Sequence, residues 1–291
     1  MKQICIYNNE SIFNIKLKQI KFMLGYNYEL KYHFLQIIRQ VFSRANSEKR
    51  EEYGLKGNIT INNEEINSRN SVLWEISDAY SLSEDLKLGT KSLVTAYFEV
   101  KMQNKMYFDS MNTIEILFNS FEMEINEDDE LNMIFNAVNS KTLIKFMKAN
   151  LIKEELQHDE YDLSYEQIIL LQIKMISYIL SNKIYNSTSF VIVHVPTLTK
   201  SIIEAVWNIP NALVFVFTEE YISNINVKDI TLFESEFVDC RDIDLIYRIV
   251  DQRYCKLLTL NKMEEQMKEY LIKHYCKEHT KLTAYLAKSN S

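Results

Sequence analysis

Two apolar runs constrain the fold of this chain more than any other feature of its sequence. Residues 190–195 and 213–217 are almost wholly apolar and are rich in β-branched side chains. Strands that lack polar alternation are covered on both faces, as in a parallel sheet. The segment between them, 198–207, has the apolar spacing of a helix. The pattern therefore predicts a β–α–β unit and an α/β fold.

The stretch from Gly25 to Lys31 has the outline of a phosphate-binding loop. A working loop reads G-x-x-x-x-G-K-[ST], because its glycines let backbone N–H groups wrap the phosphates while the lysine and the hydroxyl serve the outer phosphates and Mg²⁺. Here Gly25 and Lys31 are in register, but Leu30 replaces the second glycine and Tyr32 replaces the hydroxyl residue. Residues 20–24 alternate like a strand, and 29–44 have helical periodicity. We interpret the stretch as an NTPase-like scaffold with a degenerate loop; a chance match is the alternative.

Motifs for catalysis and for zinc binding are missing elsewhere. The run at 190–195 ends without the carboxylate that holds Mg²⁺ in P-loop enzymes. Glu219 and Glu220 follow the next run and could supply it, but we favour a solvated strand end because the phosphate loop is broken. The chain has no G-x-S-x-G elbow and no H-E-x-x-H pair. We therefore expect a non-enzymatic protein that binds no nucleotide.

Composition indicates a cytoplasmic protein without membrane contact. No apolar run approaches the ~20 residues of a membrane span, and the first eleven residues are too polar for a signal peptide. The four cysteines form no C-x-x-C pair, which favours free thiols over disulfides or zinc. They are Cys5, Cys240, Cys255 and Cys276.

Element order predicts an α/β protein with a P-loop-NTPase-like head, a helical insert and a helical C-terminal tail. The head comprises 1–80 and 165–240, the insert 81–164 and the tail 241–291. We expect helices over 90–121, with a break near Met111 and Asn112, over 131–156 and over 164–183. A short strand at 230–233 is expected at the sheet edge.

Charge is distributed unevenly. Residues 1–60 carry a net charge of +5, residues 61–166 carry −12, and the remainder is neutral. Lys16, Lys18 and Lys21 lie at nearly alternating positions, so on a half-buried strand they would share a solvent face. A basic face can bind nucleic acid even on an acidic protein, and ordinary solvated side chains are the alternative. The candidate phosphate contacts are Lys16, Lys18, Lys21, Arg39, Arg44, Lys87 and Lys91.

The most acidic stretch of the chain, 122–130, contains clustered carboxylates and an asparagine. Hard cations such as Ca²⁺ take six to eight oxygen ligands of these kinds. A solvated acidic turn at a helix N-terminus is the competing interpretation. A second acidic turn, at 159–166, leaves the same two possibilities open.

The chain resembles the CRISPR-associated Csn-type adaptation proteins of type II-A systems. The segments that carry the resemblance are 121–131, which looks like that family's acidic segment, and 190–220 with its β–α–β pattern; 242–291 looks like the C-terminal extension of the long form. The resemblance implies a homotetrameric ring that binds double-stranded DNA ends, with spacer integrase proteins and the effector nuclease as partners. It also implies bound Ca²⁺. The metal candidates that it indicates are Glu122, Glu124, Glu127 and Asp128.

Taken together, these features predict non-catalytic, sequence-independent binding of double-stranded DNA during CRISPR spacer acquisition. Lys and Arg contacts to phosphates explain such binding without base readout. Two other classes remain: an ATPase with an atypical phosphate loop, and a protein-interaction scaffold. A nucleotide-binding measurement distinguishes the first class, and a DNA shift assay distinguishes the second.

Overall fold

The computed structural model describes most of the chain in two compact units. The described residues are 1–43, 57–67, 69–126, 132, 134, 139–182, 187–222, 225–254 and 259–276. Unit 1 comprises 1–75, 187–198 and 212–291, and unit 2 comprises 76–186 and 199–211. The head, insert and tail boundaries given above stay a prediction.

A six-stranded sheet forms the centre of unit 1, with the order β12-β11-β3-β10-β9-β6. Strands β11, β3, β10 and β9 run parallel, and β12 is antiparallel to β11. Because β9 and β10 pair in parallel and a helix lies between them in sequence, the predicted β–α–β unit and the α/β class are confirmed. The strands are β3 (Ile20–Leu24), β6 (Ser71–Ser77), β9 (Thr188–His194), β10 (Leu213–Phe217), β11 (Ile230–Phe233) and β12 (Phe237–Asp239).

A second, antiparallel sheet has the order β2-β1-β4-β5. Its strands are β1 (Lys2–Tyr7), β2 (Ile12–Leu17), β4 (Asn58–Ile61) and β5 (Glu64–Ile66). In β2 the side chains of Phe13, Ile15 and Leu17 are buried while those between them are less buried. This period of two is what one covered face of a sheet requires.

Helix α1 (Tyr28–Phe42) contributes to a core that contains residues of both sheets. Phe34 lies at its centre, with ring-centroid distances of 5.2 Å to Phe13, 5.9 Å to Phe215 and 5.6 Å to Phe233. These are edge-on contacts, the geometry that aromatic quadrupoles prefer. The core thus fixes α1 against both sheets of unit 1.

Lys21 of β3 contradicts the expected lysine face. Its side chain is fully buried, forms an ion pair with Asp239 and donates to the Lys228 carbonyl at 2.9 Å. The expectation is wrong because β3 is a central strand between β11 and β10, not a half-buried one. The expected position of β11 at the sheet edge is also wrong, because β12 pairs with β11 on its outer side.

Asp239 connects the two sheets through its two carboxylate oxygens. One oxygen accepts from the backbone N–H of Lys16 in β2 at 2.6 Å, and the other accepts from Lys21 and from the Arg241 N–H. Burial lowers the pKa of Lys21, and the Asp239 carboxylate opposes that shift. A buried cation and anion are tolerated here because each has several further hydrogen bonds.

Unit 2 is mainly helical. Its helices are α2 (Leu82–Asp85), α3 (Leu93–Met102), α4 (Phe108–Ile125), α5 (Ser140–Ile144), α6 (Tyr165–Ser181) and α7 (Lys200–Trp207). Ser81 and Ser164 cap α2 and α6, as Ser at a helix start favours. No helix in the described part of the chain has the length and apolar character needed to cross a bilayer.

Two expectations within unit 2 are wrong. The helical break falls at Gln103 and Asn104, because Asn104 caps a 3-10 turn, Lys105–Tyr107, that precedes α4. The expected helix over 131–156 is replaced at its end by a hairpin of β7 (Leu151–Lys153) and β8 (Leu156–His158). Glu154 and Glu155 both have positive φ, the conformation that a two-residue hairpin turn of this kind requires.

Two further helices follow the sheet strands of unit 1: α8 (Ile243–Tyr254) and α9 (Leu260–Tyr275). Met263, Leu271 and Tyr275 of α9 are buried. Lys228, which precedes β11, forms an ion pair with Glu264 of α9. The expected helical tail is therefore present within unit 1 as far as it is described.

We expect Asp239→Ala to lower the free energy of unfolding by about 3–5 kcal/mol, because it leaves the Lys21 ammonium buried without its counter-ion. Urea titration measures the change. Glu204→Ala is the control, since its 3.9 Å pair with Lys200 is exposed and an exposed pair contributes about 1 kcal/mol at most. The double variant Lys21→Met, Asp239→Asn should recover much of the loss, whereas equal effects of Asp239→Ala and Glu204→Ala would contradict this role.

Candidate functional site

The degenerate phosphate loop is closed by its own chain. Gly25 has φ +127°, and a Cβ at this position would lie 2.2 Å from the carbonyl oxygen of Phe233. The loop therefore passes directly against the end of β11, in a conformation that only glycine adopts without strain. This contact explains the glycine without any ligand.

Several backbone N–H groups that could hold a phosphate are already used. The Asn27 N–H donates to the Phe233 carbonyl at 3.1 Å, and the Leu30 N–H donates to the Asn27 side chain at 3.0 Å. The Asn27 amide also donates to the Glu234 carbonyl at 2.7 Å. Because Asn27 acts as the N-cap of α1, the helix N-terminus does not present an open anion site.

Lys31 points inward instead of towards a ligand. Its side chain is 7 % exposed, and its ammonium donates to the Thr218 carbonyl at the end of β10, at 3.1 Å. Burial lowers the pKa of Lys31 to about 8, although the carboxylates of Glu219 and Glu234 oppose the shift. The lysine is thus a tether between α1 and β10.

Tyrosines and glutamates surround this tether. The Glu219 carboxylate lies near the Tyr28 hydroxyl and raises the pKa of Tyr28. The ring of Tyr26 stacks on Tyr275 of α9, with centroids 5.2 Å apart, and its hydroxyl donates to the His274 carbonyl at 3.3 Å. The mouth of the loop is therefore aromatic and acidic, which is unfavourable for a phosphate.

The candidate phosphate-contacting residues differ in availability. Lys18 is exposed, whereas Lys16 is half-buried and 3.7 Å from Asp242. Arg39 forms a bidentate ion pair with Glu75, in which Nε donates to Oε1 at 3.0 Å and Nη2 donates to Oε2 at 2.6 Å. In unit 2, Lys87 pairs with Glu84 and Lys91 is exposed. Lys21 is fully buried, and Arg44 lies outside the described residues.

Carboxylates of the first acidic segment do not converge in the described structure. Glu122 and Glu124 both lie in α4, and residues two apart on a helix do not face each other. Glu127 and Asp128 lie outside the described residues. A metal site on this segment therefore cannot use both Glu122 and Glu124 while α4 keeps its helical form.

The second acidic turn has a structural explanation. Asp159 and Asp162 form a reciprocal capping box around the turn Glu160–Asp162. The Glu160 carboxylate accepts from the Ser83 N–H at 3.0 Å and its hydroxyl at 2.9 Å, and these bonds lower its pKa. No group of three or more His, Cys, Asp or Glu side chains placed to hold a metal occurs in the part of the chain that is described.

Sequence reasoning missed the groups that fill the loop. The carbonyls of Phe233 and Thr218 are backbone groups and leave no trace in side-chain patterns. Tyr275 lies 249 positions beyond Tyr26, as the residue numbers show, so only the fold brings the two rings together. Asn27 was detectable, because an asparagine directly before a helical pattern is a common N-cap.

Fold and site together define an α/β protein in which the loop after β3 is filled by its own chain. No protein-family model and no curated protein matches the sequence. Among solved structures, the fold is similar to that of Stu0660 of Streptococcus thermophilus, with a TM-score of 0.62 and 14 % identity. The match covers 99 % of this chain and 100 % of that chain, so it includes both units.

We expect the Lys31→Met variant to isolate the titration of Lys31. The folded-state pKa of about 8 lies below the ordinary value of 10.5, so the unfolded state binds more protons between these values and stability rises with pH across that window. The free energy of unfolding of the wild type, minus that of the variant, should therefore rise from neutral pH to about pH 10. Urea titrations at the two pH values measure it.

Lys18→Met is the matched control, because it removes an exposed lysine from the same unit. Its difference from the wild type should change little between the two pH values. A pH dependence equal to that of Lys31→Met would show that Lys31 is not the titrating group.

Proposed function

We propose that this protein binds the ends of double-stranded DNA, without reading sequence, in CRISPR spacer acquisition. It acts as a homotetrameric ring and carries out no catalysis of its own. Spacer integrase proteins and the CRISPR effector nuclease are its proposed partners. The proposal rests on the resemblance of the sequence to CRISPR-associated adaptation proteins, and the fold that covers 99 % of this chain in the match with Stu0660 of Streptococcus thermophilus supports it.

The closed phosphate loop supports a non-enzymatic role. Its lysine donates to Thr218, and its N-terminal N–H groups donate to the protein. Phosphoryl transfer needs these groups for the nucleotide. We therefore expect no Mg²⁺-dependent ATP hydrolysis, and this expectation sets the DNA-binding proposal apart from the ATPase alternative.

Lys18 and Lys91 are the best candidates for phosphate contacts. Both are exposed, whereas Lys16, Arg39 and Lys87 already lie close to carboxylates. A protein with a net charge of −7 repels DNA unless such groups converge. Ring symmetry repeats each basic group around one channel, so a few residues per subunit suffice.

We expect Lys18→Gln and Lys91→Gln to weaken binding of a linear duplex of any sequence. The slope of log K against log salt should fall by roughly 0.9 for each phosphate contact that is lost. Fluorescence anisotropy over a salt series measures both quantities. Lys200→Gln is the control, because this α7 lysine is also exposed.

Unchanged affinity and salt slope in both variants would contradict the assignment of these lysines. The ring itself has a separate test, because a duplex threads a closed ring only through an end. A covalently closed circle should therefore compete poorly with a linear duplex of the same sequence. Equal competition would rule out threading while leaving DNA binding intact.

Calcium is proposed as a structural ion on the acidic segment. Binding to the native state alone stabilises it by mass action, so excess chelator should lower the melting temperature and dissociate the oligomer. Calorimetry and size-exclusion chromatography measure these effects, with added Mg²⁺ as the control for simple ionic screening. An unchanged melting curve in chelator, from protein first shown to be calcium-loaded, would contradict the proposal.

A further inference from the structure

Three tyrosines lie exposed around the mouth of the closed phosphate loop. Tyr26, Tyr28 and Tyr32 are 50 %, 58 % and 61 % exposed. Tyr28 and Tyr32 are four residues apart on α1, so they share one helix face. Tyr26 is held by its stack on Tyr275. Large side chains of this type, ordered yet accessible, are the usual anchors of recognition surfaces.

Carboxylates accompany these rings. Glu29 and Glu219 are exposed, and the Glu219 carboxylate lies close enough to Tyr28 to raise the pKa of its hydroxyl. We name Tyr26, Tyr28, Tyr32, Glu29 and Glu219 the tyrosine–glutamate surface. Lys31 lies beneath this surface, with its ammonium buried against Thr218 and 6.0 Å from the centroid of the Tyr28 ring.

A third carboxylate, that of Glu234, lies on the inner side of this surface. Glu234 is close enough to Lys31 to affect its charge state. Its Oε1 atom is buried, so Glu234 adds negative charge beneath the surface without contacting solvent there.

Rings and carboxylates together select a cation. Guanidinium groups stack on tyrosine rings and pair with carboxylates through two parallel hydrogen bonds, while a phosphate meets only like charge here. We propose that the tyrosine–glutamate surface docks an arginine-bearing segment of a protein partner. This inference is independent of the DNA-binding proposal, because it concerns a surface that disfavours DNA.

The probe is a fluorescein-labelled Gly-Arg-Gly-Arg-Gly peptide, titrated with the full-length protein at low salt. The same peptide with citrulline in place of arginine keeps the shape and removes the charge. We expect the arginine peptide to bind more tightly than the citrulline peptide. Tyr28→Ala and Glu219→Gln should each weaken its binding by roughly three- to tenfold.

Matched controls separate docking from general attraction to an acidic protein. Tyr161→Ala removes a tyrosine that is 88 % exposed in unit 2, and Glu65→Gln removes an exposed carboxylate elsewhere in unit 1. Both should leave the affinity unchanged. Circular dichroism spectra verify that each variant is folded, which is expected because the substituted side chains are exposed.

Several results would overturn the proposal. The arginine and citrulline peptides could bind equally, or the test and control variants could lose equal affinity. A further such result is tighter binding of an oligothymidylate that depends on Tyr28, because this would assign the rings to base stacking. None of these results would affect the duplex measurements on Lys18 and Lys91, so the two proposals fail separately.

Discussion

The buried ion pair between Lys21 and Asp239 is the interaction on which unit 1 depends. Asp239 accepts the Lys16 N–H of β2 as well as the Lys21 ammonium of β3, so one carboxylate joins the antiparallel sheet to the parallel one. Its strand, β12, also closes the edge of the six-stranded sheet. Such a pair is expensive to desolvate and is tolerated only with full hydrogen bonding. Here it specifies where the chain passes from one sheet to the other.

The position of β3 in turn determines the state of the phosphate loop. Because β3 lies between β11 and β10, the chain leaving it meets the ends of both strands. The loop binds the Phe233 carbonyl of β11, and Lys31 binds the Thr218 carbonyl that follows β10. Backbone carbonyls thus fill the loop after β3. The groups that a phosphate-binding loop would use for a nucleotide stabilise the fold here.

This exchange separates the surfaces available for function. Lys18 is exposed and precedes β3, whereas the loop follows β3, so the two lie at opposite ends of that strand, and the loop mouth is aromatic and acidic. A polyanion and a basic peptide make opposite demands on a surface. One protein can therefore bind a polyanion and a basic peptide when the two binding surfaces do not overlap. The tyrosine–glutamate surface and the proposed DNA contacts have no residue in common.

Local patterns in the sequence determined the β–α–β unit, the caps Ser81 and Ser164, and the register of Gly25 with Lys31. These features depend on periodicity and on neighbouring residues, so they can be recognised before the fold is known. Only the tertiary structure decided the burial of Lys21 and the inward turn of Lys31. Their partners lie 218 and 187 residues away. Periodicity does not state which strands become neighbours, so the burial of Lys21 could not be predicted. Backbone carbonyls have no sequence signature, so the filling of the loop could not be predicted either.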